Sequence, residues 1–200
     1  MTLAVVDRYV TRVPDNPEII DRPDPVLWSE SNNPELLGYA ETGFVQFERA
    51  LSPGDVAACL EEIDRIENDA DLRDDPRIVR EKGTSAVRSI FDIRQLSPVV
   101  SAAVELSGAR RHAQEILGSD VYVHQSRLNY KPGFQGGAFY WHSDFETWHA
   151  EDGMPAPRAV SASISLTHNE LFNGPLMISP GSQQYFVQCA GDTPDDHYRQ

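Results

Sequence analysis

The sequence predicts an α+β protein, with helices in roughly its first 118 residues and strands after them. Three observations lead there. A capped apolar stripe of helical period follows Ser52, and a second helical region runs into Gly118. From Val121 onward, runs of β-branched and aromatic residues alternate with Gly, Pro and Asn punctuation. Helices followed by strands fit a chain whose second part is an antiparallel sandwich or barrel.

Residues 1–33 carry prolines at Pro14, Pro17, Pro23 and Pro25, which suit an extended arm and not a helix. Residues 43–47, Gly-Phe-Val-Gln-Phe, alternate and predict a short first strand. Ser52-Pro53-Gly54-Asp55 then supplies a helix start, with Ser52 as N-cap, Pro53 in the first turn and Asp55 at the positive end of the dipole. Val56, Leu60, Ile63 and Ile66 follow as one apolar stripe. Residues 67–81 are charged and nearly without apolar side chains, which predicts a mobile surface segment. The second helical region, 98–117, is interrupted at Ser107-Gly108 and capped by Gly118. Strands are predicted over 121–130, 138–145, 159–166, 176–179 and 184–188.

Composition narrows the function classes. A 40% hydrophobic content is that of a globular chain, and 200 residues make one ordinary domain. The formal charge of -14 repels phosphate backbones and anionic lipid, so neither nucleic acid nor a membrane is an expected partner. No apolar run approaches the roughly 18 residues that cross a bilayer, and the polar N-terminus lacks a secretory core, so a cytoplasmic protein is expected. Cys59 and Cys189 are too scattered for a disulfide framework or a Cys-x-x-Cys metal site.

The densest chemical signal is residues 139–149, Phe-Tyr-Trp-His-Ser-Asp-Phe-Glu-Thr-Trp-His. On a strand, His142 and Asp144 project to the same face. An imidazole nitrogen and a carboxylate oxygen side by side are two corners of a 2-His-1-carboxylate facial triad, which leaves open metal positions for a chelating co-substrate and dioxygen. His-x-Asp alone fits a surface His bonded to its neighbour equally well. The aromatic flanks, Phe139, Tyr140, Trp141, Phe145 and Trp148, serve either a core or the wall of a water-excluding site. Gln125, Arg127 and Asn129 continue the strand face begun by Val121 and Val123. They are solvated at the strand's outer end or line a polar pocket, and spacing does not decide between these.

Residues 124–134, His-Gln-Ser-Arg-Leu-Asn-Tyr-Lys-Pro-Gly-Phe, together with 139–155, resemble the signature of the ectoine hydroxylase family. That family lies in the phytanoyl-CoA dioxygenase-like group of Fe(II)/2-oxoglutarate-dependent enzymes. The likeness extends upstream to Arg22-Pro23-Asp24-Pro25-Val26, Gly43-Phe44 and Val87-Arg88-Ser89-Ile90-Phe91. Downstream it reaches Phe172-Asn173-Gly174-Pro175-Leu176-Met177 and Pro180-Gly181-Ser182.

The resemblance implies a double-stranded β-helix (jelly-roll) core flanked by N-terminal helices, within one dioxygenase domain over 1–200. Its parts would be an arm over 1–33, a helical flank over 34–118 and the first part of the β core over 119–200. It implies His142 and Asp144 as catalytic iron ligands. Lys131, Asn129 and Phe139 would lie at the 2-oxoglutarate site, and Gln125, Arg127, Trp148, Thr147 and Ser163 at the substrate site. Such roles suit the groups. Lys131 or Arg127 can meet a carboxylate by charge-assisted hydrogen bonds. Trp148 offers a flat face to the delocalised cation of ectoine, and Gln125 adds no net charge beside a zwitterion.

The implied reaction hydroxylates ectoine to 5-hydroxyectoine with Fe(II), 2-oxoglutarate and O2, releasing succinate and CO2, in a cytoplasmic homodimer. The family's second iron-binding histidine and its 2-oxoglutarate arginine align beyond Gln200. These 200 residues alone are therefore expected to bind iron poorly and turn over little. His168 stands where the family usually carries an acidic residue. Two alternatives stay open, a hydroxylase of another small zwitterion and a non-catalytic binding domain. Trp148 and Gln125, which match the ectoine-specific subset, argue against the first.

Overall fold

The computed structural model describes residues 6–24 and 33–191. Helices and antiparallel strand pairs are both present, but strands at Ile19–Asp21, Ile78–Arg80 and Val87–Phe91 precede residue 118 and a helix at Asp144–Asp152 follows it, so the expected order of helices before strands does not hold. The described residues form two compact units. One unit takes in residues 6–24, 33–45, 139–160 and 178–191, and the other 46–138 and 161–177.

The second unit holds the helical layer and its main core. Helices α2 (Pro53–Asn68), α3 (Ile93–Leu96), α4 (Pro98–Leu106) and α5 (Ala109–Leu117) surround a sheet of β2 (Ile78–Arg80), β3 (Val87–Phe91) and β4 (Arg127–Asn129). The sheet order is β2-β3-β4, with both pairs antiparallel. Helix α2 begins as predicted. The Ser52 hydroxyl accepts from the Asp55 N–H at 3.2 Å while the Asp55 carboxylate accepts from the Ser52 N–H, a reciprocal capping box. Its buried face is Cys59, Ile63 and Ile66, whereas Leu60 stands at the edge of the stripe, exposed. Those three residues pack with Ile78, Val87, Ile90, Ile93, Val100 and Ala103. Gly108 and Gly118 adopt positive φ at the two predicted breaks, Gly108 dividing α4 from α5 and Gly118 capping the end of α5 as expected.

Several sequence expectations need correction. Residues 67–81 are not a bare surface segment: they contain the 3-10 turn Ala70–Leu72 and strand β2, and Ile78 and Glu81 are buried. Residues 43–47 do not form a strand, and Gly43 instead caps the short helix α1 (Tyr39–Thr42). The strand expected over 121–130 narrows to β4. Residues 159–166 and 176–179 make no ladder among the described residues, because alternation supplies a strand's faces but not the partner it must pair with.

The first unit is smaller and contains the chemical motif. Strands β1 (Ile19–Asp21) and β5 (Tyr185–Val187) pair antiparallel, Ile20 opposite Phe186, so the strand expected over 184–188 forms. The strand expected over 138–145 does not. Asp144 opens helix α6 (Asp144–Asp152), closed by Gly153 at φ 71°. Tyr9, Phe145 and Phe186 make this unit's core, their rings meeting edge to face at 4.9 to 5.9 Å between centroids.

Candidate active site

The residues expected to carry chemistry divide between the two units. Phe139, His142, Asp144, Thr147 and Trp148 belong to the first, and Gln125, Arg127, Asn129, Lys131 and Ser163 to the second.

In the first unit, His142 and Asp144 converge. Imidazole Nε2 stands 3.4 Å from carboxylate Oδ1, with the side chains 27% and 40% exposed. The cause is local. Ser143 is extended (φ -103°, ψ 124°), so residues on either side of it point the same way, although Asp144 already has helical geometry. The other ring nitrogen, Nδ1, lies 2.6 Å from the Tyr140 carbonyl oxygen, an atom that only accepts. Nδ1 therefore carries the proton, and in the neutral ring the lone pair of Nε2 is turned toward the carboxylate. Two electron-rich atoms facing each other at this distance suit a cation between them. A protonated imidazole meets that requirement, and so does a divalent metal. Nitrogen plus hard oxygen is a donor set fit for Fe(II). Among the described residues no group of three His, Cys, Asp or Glu side chains is gathered to hold a metal.

Helix α6 puts Thr147 and Trp148 on its buried side, one turn from Asp144. Phe139 is half-buried. Glu146, which sequence reasoning passed over, is buried as well. Its carboxylate accepts from Thr11 Oγ1 at 3.0 Å and from Arg12 Nε at 3.4 Å, and Arg12 Nη2 also reaches Glu151 at 2.6 Å. The Glu151 contact foremost holds the Arg12 guanidinium above its ordinary pKa. Burial, and then Glu146, push the Cys189 thiol upward, which keeps it un-ionised and poorly reactive. His149 is structural: Nδ1 meets the Met154 carbonyl at 2.7 Å and Nε2 meets Asp7 at 3.0 Å.

In the second unit, β4 pairs Asn129 with Ser89 and Arg127 with Phe91. The Ser89 hydroxyl donates to Asn129 Oδ1 at 2.9 Å, and the Arg127 guanidinium lies 5.6 Å from the Phe91 ring centre. Gln125 is half-buried and Ser163 exposed. Lys131 Nζ donates to the Gly137 carbonyl at 2.7 Å. The Gly137 N–H donates to Glu81 Oε1 at 2.9 Å, and Arg88 Nη2 to the Ala138 carbonyl at 2.8 Å.

Glu81 and Arg88 are themselves a buried pair, 3.2 Å apart and 8% and 7% exposed. A side chain at Gly137 would crowd this pair, since a Cβ would meet Arg88 Nη1 at 2.9 Å and Glu81 Oε2 at 3.0 Å. Sequence reasoning missed Glu81 because it ends a charged run. Arg88, the one charged residue in the Val87–Phe91 run, was its available partner signal. His168, at the departure from the family pattern, is 94% exposed and pairs with Glu170 at 3.6 Å. His197 lies outside the described residues.

Residues 39–200 match the family model described as phytanoyl-CoA dioxygenase (PhyH). The chain is 51% identical over 195 residues to the ectoine dioxygenase of Nocardia farcinica, covering 98% of this chain and 65% of that relative. It is 46% identical over 200 residues to the ectoine dioxygenase of Bordetella bronchiseptica, again covering 65% of the relative. The chain thus spans just under two thirds of the length of these relatives. Among solved structures, EctD from S. alaskensis with 2-oxoglutarate and 5-hydroxyectoine superposes with a TM-score of 0.84 at 39% identity, covering 95% of this chain and 70% of that one. The structure of EctD with bound Fe gives 0.76 at 41% identity, covering 92% and 67%. The family match over most of the chain and the likeness to these relatives agree: the chain belongs to the phytanoyl-CoA dioxygenase family.

Proposed function

We propose that the protein hydroxylates ectoine to 5-hydroxyectoine, consuming 2-oxoglutarate and O2 at an Fe(II) centre and releasing succinate and CO2. The observation that carries this is the facing of His142 Nε2 and Asp144 Oδ1, in a chain whose relatives are named ectoine dioxygenases. Bound Fe(II) would supply dioxygen activation and the oxidising power for breaking a C–H bond.

His142 and Asp144 would hold the ion, His142 in the tautomer that its bond to the Tyr140 carbonyl selects. A third protein ligand would come from outside the described residues. Lys131 would exchange its bond to the Gly137 carbonyl for a 2-oxoglutarate carboxylate, a stronger charge-assisted contact. The resemblance assigns Asn129 and Phe139 to 2-oxoglutarate as well. Trp148 would stack on the ectoine cation, Gln125 and Arg127 would bind its polar edge, and Thr147 and Ser163 would complete the contacts. The buried aromatics Phe145 and Trp148 would help keep water from the reacting C–H bond, whereas Tyr140 and Trp141 are exposed and do not form the expected wall.

The jelly-roll core, the homodimer and the cytoplasmic setting belong to the same proposal. No helix among the described residues is long and apolar enough to cross a membrane. The net charge of -14 supports a small zwitterionic substrate over nucleic acid.

The test is to incubate the full chain as encoded with Fe(II), 2-oxoglutarate and ectoine, and to quantify succinate and 5-hydroxyectoine by mass spectrometry. Equal yields that depend on ectoine support the proposal. Succinate formation stimulated only by a different zwitterion would reassign the substrate, and no Fe(II)-dependent succinate would refute the enzyme itself.

A further inference from the structure

The proposed metal carboxylate sits on the first residue of a helix only nine residues long. A helix of that length has little stability of its own, so its orientation is set by what it packs against. Within the first unit, α6 packs through Phe145 on Phe186 and against the stretch of the N-terminal arm from Asp7 to Arg12. Tyr9, fully buried, puts its ring edge-on against Phe145 at 4.9 Å and His149 at 5.8 Å. Asp7 reaches His149, Thr11 reaches Glu146, and Arg12 reaches both Glu146 and Glu151. The last two carboxylates lie five residues apart, about 7.5 Å along a helix axis, so one guanidinium opposes both rotation and sliding of α6.

Two details set this apart from ordinary surface packing. Glu146 occupies the third position of α6, from which a glutamate commonly turns back to cap its own helix start. Ser143 makes no side-chain cap bond, and the Glu146 carboxylate is turned to Thr11 and Arg12. A local stabilising arrangement is given up for a contact with a segment more than 130 residues away in sequence. Arg12 itself adopts φ 55°, the left-handed region that a branched or long side chain seldom enters without compensation.

We propose that Glu146 and Arg12 are positioning residues for the metal site. By fixing the rotation of α6 they hold the Asp144 carboxylate toward His142, so the N-terminal arm is part of the site's supporting shell. The inference rests on the proposed function only in taking His142 and Asp144 as metal ligands.

The test is a Co(II) titration of the full chain as encoded, with Co(II) as a stand-in for Fe(II), followed by visible absorption and calorimetry, with melting of the metal-free protein measured alongside. Wild type, His142→Ala, Glu146→Gln, Arg12→Ala, Arg12→Lys and Arg8→Ala are compared. Arg8→Ala is the control, since Arg8 pairs with Asp24 on the same arm and makes no such contact with α6. Supporting-shell changes typically weaken metal affinity about 10- to 100-fold. Glu146→Gln and Arg12→Ala should raise the dissociation constant about 10-fold and alter the Co(II) band shape. Arg12→Lys, which can serve only one of the two carboxylates, should weaken binding less. Arg8→Ala should leave it unchanged even where the melting temperature falls. Wild-type affinity in Glu146→Gln and Arg12→Ala, or equal weakening in Arg8→Ala, would overturn the inference. Wild-type binding that ignores His142→Ala would instead defeat the assignment of the ligands.

Discussion

Each unit contains one carboxylate–arginine pair beside residues expected to bind a ligand, and the two pairs are built differently. Glu81 and Arg88 are almost wholly excluded from solvent and act on backbone, gripping the Gly137 N–H and the Ala138 carbonyl. Glu146 is equally buried, but Arg12 is 22% exposed and divides itself between two carboxylates of one helix. The first arrangement fixes a loop's path, whereas the second fixes a helix's orientation. Breaking them should therefore have different consequences, one in folding and the other in ligand geometry.

The largest expected effect is on stability. Glu81→Ala leaves a buried guanidinium without its carboxylate and the Gly137 N–H without its acceptor, a change worth about 3–5 kcal/mol. Urea unfolding should show that loss. A loss below about 1 kcal/mol would mean that water replaces the carboxylate and the pair is not a fixed anchor. A Gly137→Ala variant should come next, since its Cβ would press on both members of the pair. A cost of about 1–3 kcal/mol is expected for such crowding, read in the same unfolding assay.

Lys131→Met tests whether the loop held by the buried pair presents a ligand-binding charge. Stability should change little, because the lysine is exposed, while the apparent KM for 2-oxoglutarate rises about 10-fold through loss of a charge-assisted contact. An unchanged KM would leave Lys131 as a loop fastener only.

The smallest effect concerns the turn before β2. Side-chain and backbone bonds from Arg77 hold the Asp75 carboxyl down to about 2. A carboxyl depressed on folding contributes stability that is complete above its ordinary range and fades as pH falls through about 4 toward 2. Asp75→Asn should flatten that part of the stability profile and leave neutral-pH activity unaltered. An identical acid profile would show that other carboxylates govern acid unfolding.

Legibility in the sequence tracked how local the signal was. Ser52, Gly108 and Gly118 act within a few residues of themselves, and α2, α4 and α5 followed from them. The loss of the strands expected over 159–166 and 176–179 reflects the opposite case, because pairing is a distant event that alternation cannot specify. The facing of His142 and Asp144 was foreseen on a partly mistaken basis. Their segment is not a strand, but a single extended residue, Ser143, reproduces the same two-residue alternation.

Helix α6 was missed because five aromatics in ten residues suggested a strand. The acidic Asp144 and Glu146 in its first turn and the Gly153–Pro155 ending were the available signals. Glu146–Arg12 lay beyond reach, since nothing in residues 7–12 indicates what they will touch, whereas Arg88 signals that a buried acid is needed without saying which one.

The most direct measurement is anomalous diffraction at the iron edge from crystals of the full chain grown anaerobically with Fe(II). One strong peak should lie within bonding distance, about 2.0–2.2 Å, of both His142 Nε2 and an Asp144 carboxylate oxygen. Iron bound elsewhere, or a His142–Asp144 pair that stays in direct contact with no metal between them in saturating Fe(II), would contradict the account.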